Sequence, residues 1–171
     1  MPRYAAFLRG VSPLNAKMPA LRQAFESAGF SAVTTVLGSG NVVFDARRAS
    51  ETSLQRRAEG AMRDRLGQSF LTIVRPVEHL HRLLTADPFR RFRLPSGTKR
   101  VVTFLVTEPE TDVVLPLEHQ GARLLSLDGR ELFTAYVPGP NGAPFMALIE
   151  RTFGKAITTR TWDTVARVAR A

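Results

Sequence analysis

The chain of 171 residues contains no cysteine, which removes disulfides, thiol nucleophiles and cysteine-ligated zinc from consideration. Lysine is nearly as scarce: Lys17, Lys99 and Lys155 stand alone among 24 basic residues, and the rest are arginine. There are three histidines. His79 and His81 lie two apart on a helical stretch and so point to different sides of it, while His119 follows acidic, solvated residues. None belongs to a nucleophile–base–orienter pattern or has metal-ligand spacing. No apolar stretch reaches signal-peptide or membrane-spanning length, and Met1-Pro2-Arg3 leads straight into a strand-like run. A cytoplasmic protein with no membrane partner is therefore expected. The Gly-x-x-x-x-Gly-Lys-Ser/Thr pattern of a P-loop is missing. So is the Gly-aromatic-Gly-aromatic pattern of an RNA-recognition module.

What is present suits a folded core. Hydrophobic residues make up 44% and charged ones only 23%, a balance that opposes disorder. The length fits one compact domain or two small ones sharing a core. The formal net charge is +9, from 24 basic against 15 acidic residues, and its densest cluster is Arg90, Arg91, Arg93, Lys99 and Arg100. Such a patch could meet phosphates. The skew toward arginine, however, reads as the codon usage of a GC-rich genome filling ordinary surface positions. A nucleic-acid partner therefore ranks low.

Turn and periodicity signals order the chain. Residues 4–8 form a strand ended by Arg9-Gly10. After Met18-Pro19, where proline suits a first helical turn, Leu21, Ala24, Phe25 and Ala28 recur at helical spacing until Gly29. Residues 32–37 and 41–44 form a hairpin. Ser50 can cap a helix that Gly67 ends, and residues 70–74 make a strand. The order β-α-β-β-α-β is ferredoxin-like. A second round reads as a strand at 100–106, a short helix at 109–119, a hairpin over Asp128-Gly129, a helix at 144–153 and a strand at 156–159. A final helix follows from Trp162. The expected fold class is α+β: two tandem ferredoxin-like subdomains, 1–75 and 100–171, joined by a helix and loop over 76–99. No residue-level repeat accompanies this duplication.

The hairpin turn Gly38-Ser39-Gly40-Asn41 is richer in glycine than a tight turn requires, and it leaves backbone that another group can approach. Ser39 is no hydrolase nucleophile, because Leu37 and Asn41 stand where an elbow needs glycine and a strand follows it rather than a helix. Arg9 ends the first strand before a loop that carries Lys17 to a helix N-terminus, a setting that favours an anion. Arg160 and Trp162, two apart, share a face in extended geometry and would flank a planar or anionic ligand by charge and stacking. The competing reading makes Trp162 core packing and Arg9 the partner of a surface carboxylate.

Three segments carry a resemblance: Leu8-Arg9-Gly10, Ser39-Gly40-Asn41-Val42-Val43-Phe44, and Thr159-Arg160-Thr161-Trp162-Asp163-Thr164-Val165. With Met18 and Leu21, Gly29 and Phe30, and Pro88 and Phe89 in the same order, the chain resembles the bacterial family called domain of unknown function 1697. Four positions depart from it: Ser12, Thr161 and Asp163 replace usual asparagines, and Gly38 replaces a common glutamine. A ligand held by those amides would differ here. The resemblance implies no activity. The leading expectation is a binding module for a small anionic or nucleotide-like ligand, in a cleft between subdomains lined by Arg9, Ser39, Asn41, Arg160 and Trp162. A non-catalytic interaction or self-associating protein comes second, and an enzyme or nucleic-acid binder third. No cofactor and no metal is expected. Arg9, residues 38–41 and residues 159–164 are expected on one surface, as a ligand site or as a structural latch.

Overall fold

In the computed structural model, which describes residues 1–140 and 142–171, alternate side chains of the first strand, β1 (Arg3–Leu8), enter two different surroundings. Tyr4, Ala6 and Leu8 join a core with Phe25, Phe30, Phe44, Leu54 and Met62. Ala5 and Phe7 lie on the opposite side, as the two-residue period of a strand demands, and they too are fully buried. A strand buried on both faces reads as an unbroken apolar run, and residues 4–8 do.

The chain divides into two compact units, Met1–Thr85 with Val165–Ala171, and Ala86–Thr164. These cuts differ from the 1–75, 76–99 and 100–171 division. The helix read as a link belongs to the first unit except for Ala86, and residues 165–171 belong to the first unit as well.

In the first unit β1 is followed by α1 (Met18–Ser27), β2 (Ser31–Thr35), β3 (Asn41–Asp45), α2 (Glu51–Leu66), β4 (Thr72–Pro76) and α3 (Val77–Ala86). The sheet order is β2-β3-β1-β4, every neighbouring pair antiparallel, with Phe7 opposite Asn41 and Leu8 opposite Thr72. The β2–β3 register slips between Ser31 and Thr34, where Ala32 has φ 47°. The two expected caps of α2 are present: Ser50 accepts a 3.1 Å hydrogen bond from the Ser53 N–H, and Gly67 ends the helix at φ 72°. Helices α1 and α2 bury Leu21, Ala24 and Phe25, and Leu54, Ala58 and Met62. An aromatic group fills the space between, with the Phe30 and Phe44 rings stacked 4.2 Å apart. Each such side chain contributes roughly 2–3 kcal/mol on burial.

The second unit contains β5 (Lys99–Leu105), β6 (Leu117–His119), β7 (Ala122–Asp128), β8 (Glu131–Tyr136), α4 (Phe145–Phe153), β9 (Ile157–Thr161) and the start of α5 (Trp162–Arg170). Its antiparallel sheet runs β6-β7-β8-β5-β9. With β6 set aside, the first unit's order recurs. Val101, Leu105, Leu124, Leu132 and Ile157 from the strands pack with Phe145 and Ile149 of α4.

One expected element is absent. Residues 109–119 form no helix: the chain runs irregularly to Pro116 and then enters β6. The β-branched Thr111, Val113 and Val114 resist helix formation, and Pro116 breaks what remains. A mixed α+β fold with two antiparallel sheets and five helices results among the described residues. None of those helices is long and apolar enough to cross a membrane.

Candidate functional site

The Arg9–Gly10 loop and the 38–41 turn meet in the first unit. The Leu8 N–H donates to the Gly40 carbonyl at 2.8 Å, and the Arg9 N–H donates to the Leu71 carbonyl at 2.9 Å. Gly40 is buried at φ 89°, and a Cβ there would fall 2.9 Å from Val11 Cβ and 3.1 Å from the Leu8 carbonyl oxygen. Only a bare backbone allows that approach. Gly38 lies beside Pro13, its notional Cβ 3.5 Å from the ring.

Side chains brace both segments from within. Asn41 is fully buried, and its amide donates to the Val36 carbonyl at 2.9 Å and the Ser39 hydroxyl at 3.2 Å. The Val36 N–H in turn donates to the Asn41 carbonyl at 2.9 Å. Across the loop, the Asn15 amide donates to the Gly10 carbonyl at 2.7 Å, while its oxygen accepts from the Ser12 N–H at 2.9 Å. Leaving the buried Asn41 amide unmatched would cost about 1–3 kcal/mol. Ser39 is exposed and Arg9 half-buried at the margin of this assembly. The loop then delivers Lys17 to the N-cap of α1 in extended geometry, with no side-chain cap on the helix.

Arg160 and Trp162 belong to the second unit. Arg160 sits opposite Val102 on β9, and its guanidinium donates to the Thr158 hydroxyl at 2.8 Å and the Thr159 carbonyl at 2.9 Å. Burial lowers its pKa to about 10, so the side chain is cationic at pH 7. Trp162, 7% exposed, meets Phe89 and Phe133 edge-on at 5.1 and 6.1 Å. Its ring is engaged in packing, as the competing reading of the sequence had it. The hydroxyl of Thr161 accepts from the Thr164 N–H at 3.2 Å and caps α5.

Arg9, Ser39 and Asn41 are thus brought together, largely by main-chain bonds. Among the described residues no group of three or more His, Asp or Glu side chains could hold a metal. Arg91, which the sequence marks only as one member of a charged cluster, borders a cavity lined by Phe92, Leu125 and Phe153. Its neighbours there come from distant segments, which local pattern cannot bring together.

A family of proteins of unknown function, DUF1697, matches residues 1–133. That span includes Leu8-Arg9-Gly10 and the 39–44 motif and stops before Arg160. No curated protein sequence matches the chain. Among solved structures, the conserved bacterial protein SP0830 from Streptococcus pneumoniae is similar over 99% of this chain and 97% of its own, with a TM-score of 0.71 at 21% identity. That likeness concerns the fold alone. With 133 of its 171 residues matched, the chain belongs to the DUF1697 family of proteins of unknown function.

Proposed function

We propose that the chain binds a small anionic or nucleotide-like ligand through its first unit, with Arg9 supplying charge and Ser39 a hydroxyl. The observation that carries this reading is the first turn of α1. Its N-cap is a lysine, no side chain caps it, and the loop leading to it begins at the half-buried Arg9. Backbone N–H groups at an uncapped helix start favour negative charge, and two cations on the loop strengthen that field. Asn41 and Gly40 hold the loop's neighbour in shape rather than contacting the ligand. Arg160 is the second unit's candidate cation, and Trp162 its aromatic one.

The same reading takes each unit as ferredoxin-like. The supporting feature is a shared strand order, with the 106–116 segment replacing a helix in the second unit. A cytoplasmic setting goes with it, supported by the lack of cysteine.

A thermal-shift screen of nucleotides, sugar phosphates and small carboxylates tests the proposal. A hit should raise the melting temperature, and Arg9→Ala should weaken it at least tenfold. Arg160→Ala, run beside it, reports whether the second cation also serves the ligand. A screen without hits, or a hit that Arg9→Ala leaves unchanged, overturns the proposal.

A further inference from the structure

Where the first unit lays α1 over its sheet, the second has only the irregular segment 106–116. A loop fills less space than a helix, and beside this one lies a cavity of about 390 Å³. Val113 and Leu115 of the segment, Leu125 and Leu127 of β7, Phe92 and Phe153 give it apolar walls. Its volume falls within the range of about 300–1,000 Å³ typical of small-molecule sites.

Arg91, Thr111 and Ser126 supply the polar side chains of the lining. Arg91 is the sole charged residue among those lining the cavity. It is exposed, its guanidinium lies 5.1 Å from the Phe92 ring centroid, and it forms no ion pair among the described residues. Ser126 also lines the cavity, next to the register shift in β7. Its hydroxyl is buried and has no hydrogen-bond partner among the described residues, an arrangement that costs stability. Arg91, Ser126 and Leu127 also border a second cavity of about 400 Å³.

We propose that the cavity beside residues 111–116 binds a small amphiphilic carboxylate. Its hydrocarbon or aryl body lies against the apolar walls and its carboxylate meets Arg91. The unpartnered Ser126 hydroxyl is the donor assigned to the second carboxylate oxygen. A phosphate or nucleotide, with its higher charge, fits poorly, because Arg91 is the single charged side chain in the lining. A neutral apolar molecule would leave both polar groups unused. This site is separate from the first-unit loop.

Calorimetric titration of the full chain with octanoate and with octanol tests the proposal. Octanoate should bind saturably, and octanol, of equal chain length, at least tenfold more weakly. Arg91→Ala should weaken octanoate at least tenfold without moving the unfolding midpoint, because the residue is exposed. Arg82→Ala, the loss of a cation on α3, should change nothing. Thr111→Trp, at an exposed lining position, should plug the cavity and abolish binding. The absence of saturable binding, equal affinity for octanol, or undiminished binding in Arg91→Ala or Thr111→Trp would each overturn it.

Discussion

Gly40 is held by two constraints at once, a left-handed backbone and three atoms of Leu8 and Val11 where a Cβ would stand. Overpacking costs about 1–3 kcal/mol, and left-handed strain in a residue with a Cβ about 1–2 kcal/mol. Gly40→Ala should therefore lower unfolding stability by about 2–5 kcal/mol in urea titrations. Gly67, at φ 72° with nothing near its notional Cβ, carries the strain alone, so Gly67→Ala should lose only about 1–2 kcal/mol. Glu59 offers a contrast in charge. Burial lifts its carboxyl above the usual glutamate range, although the Thr72 N–H and the charge of Arg63 pull the other way. The folded chain thus holds this proton more tightly than the unfolded one does. Its contribution is complete below the unfolded value and fades as pH rises through the raised folded value. The stability of Glu59→Gln relative to the parent should accordingly improve between pH 4 and pH 7, as read from paired urea titrations.

At the scale of elements, helix ends differ in finish. Helix α2 has its serine cap, whereas α1 begins at Lys17 with φ −83° and ψ 142°, a geometry ready for a capping side chain. Lys17→Ser should stabilise the unliganded chain by about 0.5–1 kcal/mol while weakening any anion bound at that turn. Thermal unfolding with and without ligand separates the two effects. Elements defined by neighbouring residues were legible in the sequence: the hairpins over Gly-Ser-Gly-Asn and Asp-Gly, the Ser50 and Gly67 ends of α2, and the final helix from Trp162. The helix expected at 109–119 is absent because the β-branched Thr111, Val113 and Val114 and then Pro116 oppose it. For the candidate site, the motifs suggest one surface for Arg9, residues 38–41 and residues 159–164; the first two meet within the first unit, and residues 159–164 belong to the second. The contact of Gly40 with Val11 and the cavity bordered by Arg91 were not legible, since each joins residues that only the folded chain brings near.

At the scale of the whole molecule, the surplus of 24 basic over 15 acidic residues gives copies a long-range repulsion that salt screens within about 10 Å at 0.1 M. Close up, a different safeguard operates at the first sheet's solvent-exposed rim. That rim is β2, three of whose five residues are exposed, and its ladder slips at Ala32 and Val33. A visiting strand would find two short stretches out of phase instead of one continuous row of donors and acceptors. Bulged rims of this kind resist templated strand addition. Crowded, concentrated or freshly synthesised copies can therefore collide along this margin without seeding a growing sheet, and the protection outlasts any rise in ionic strength that silences their charge.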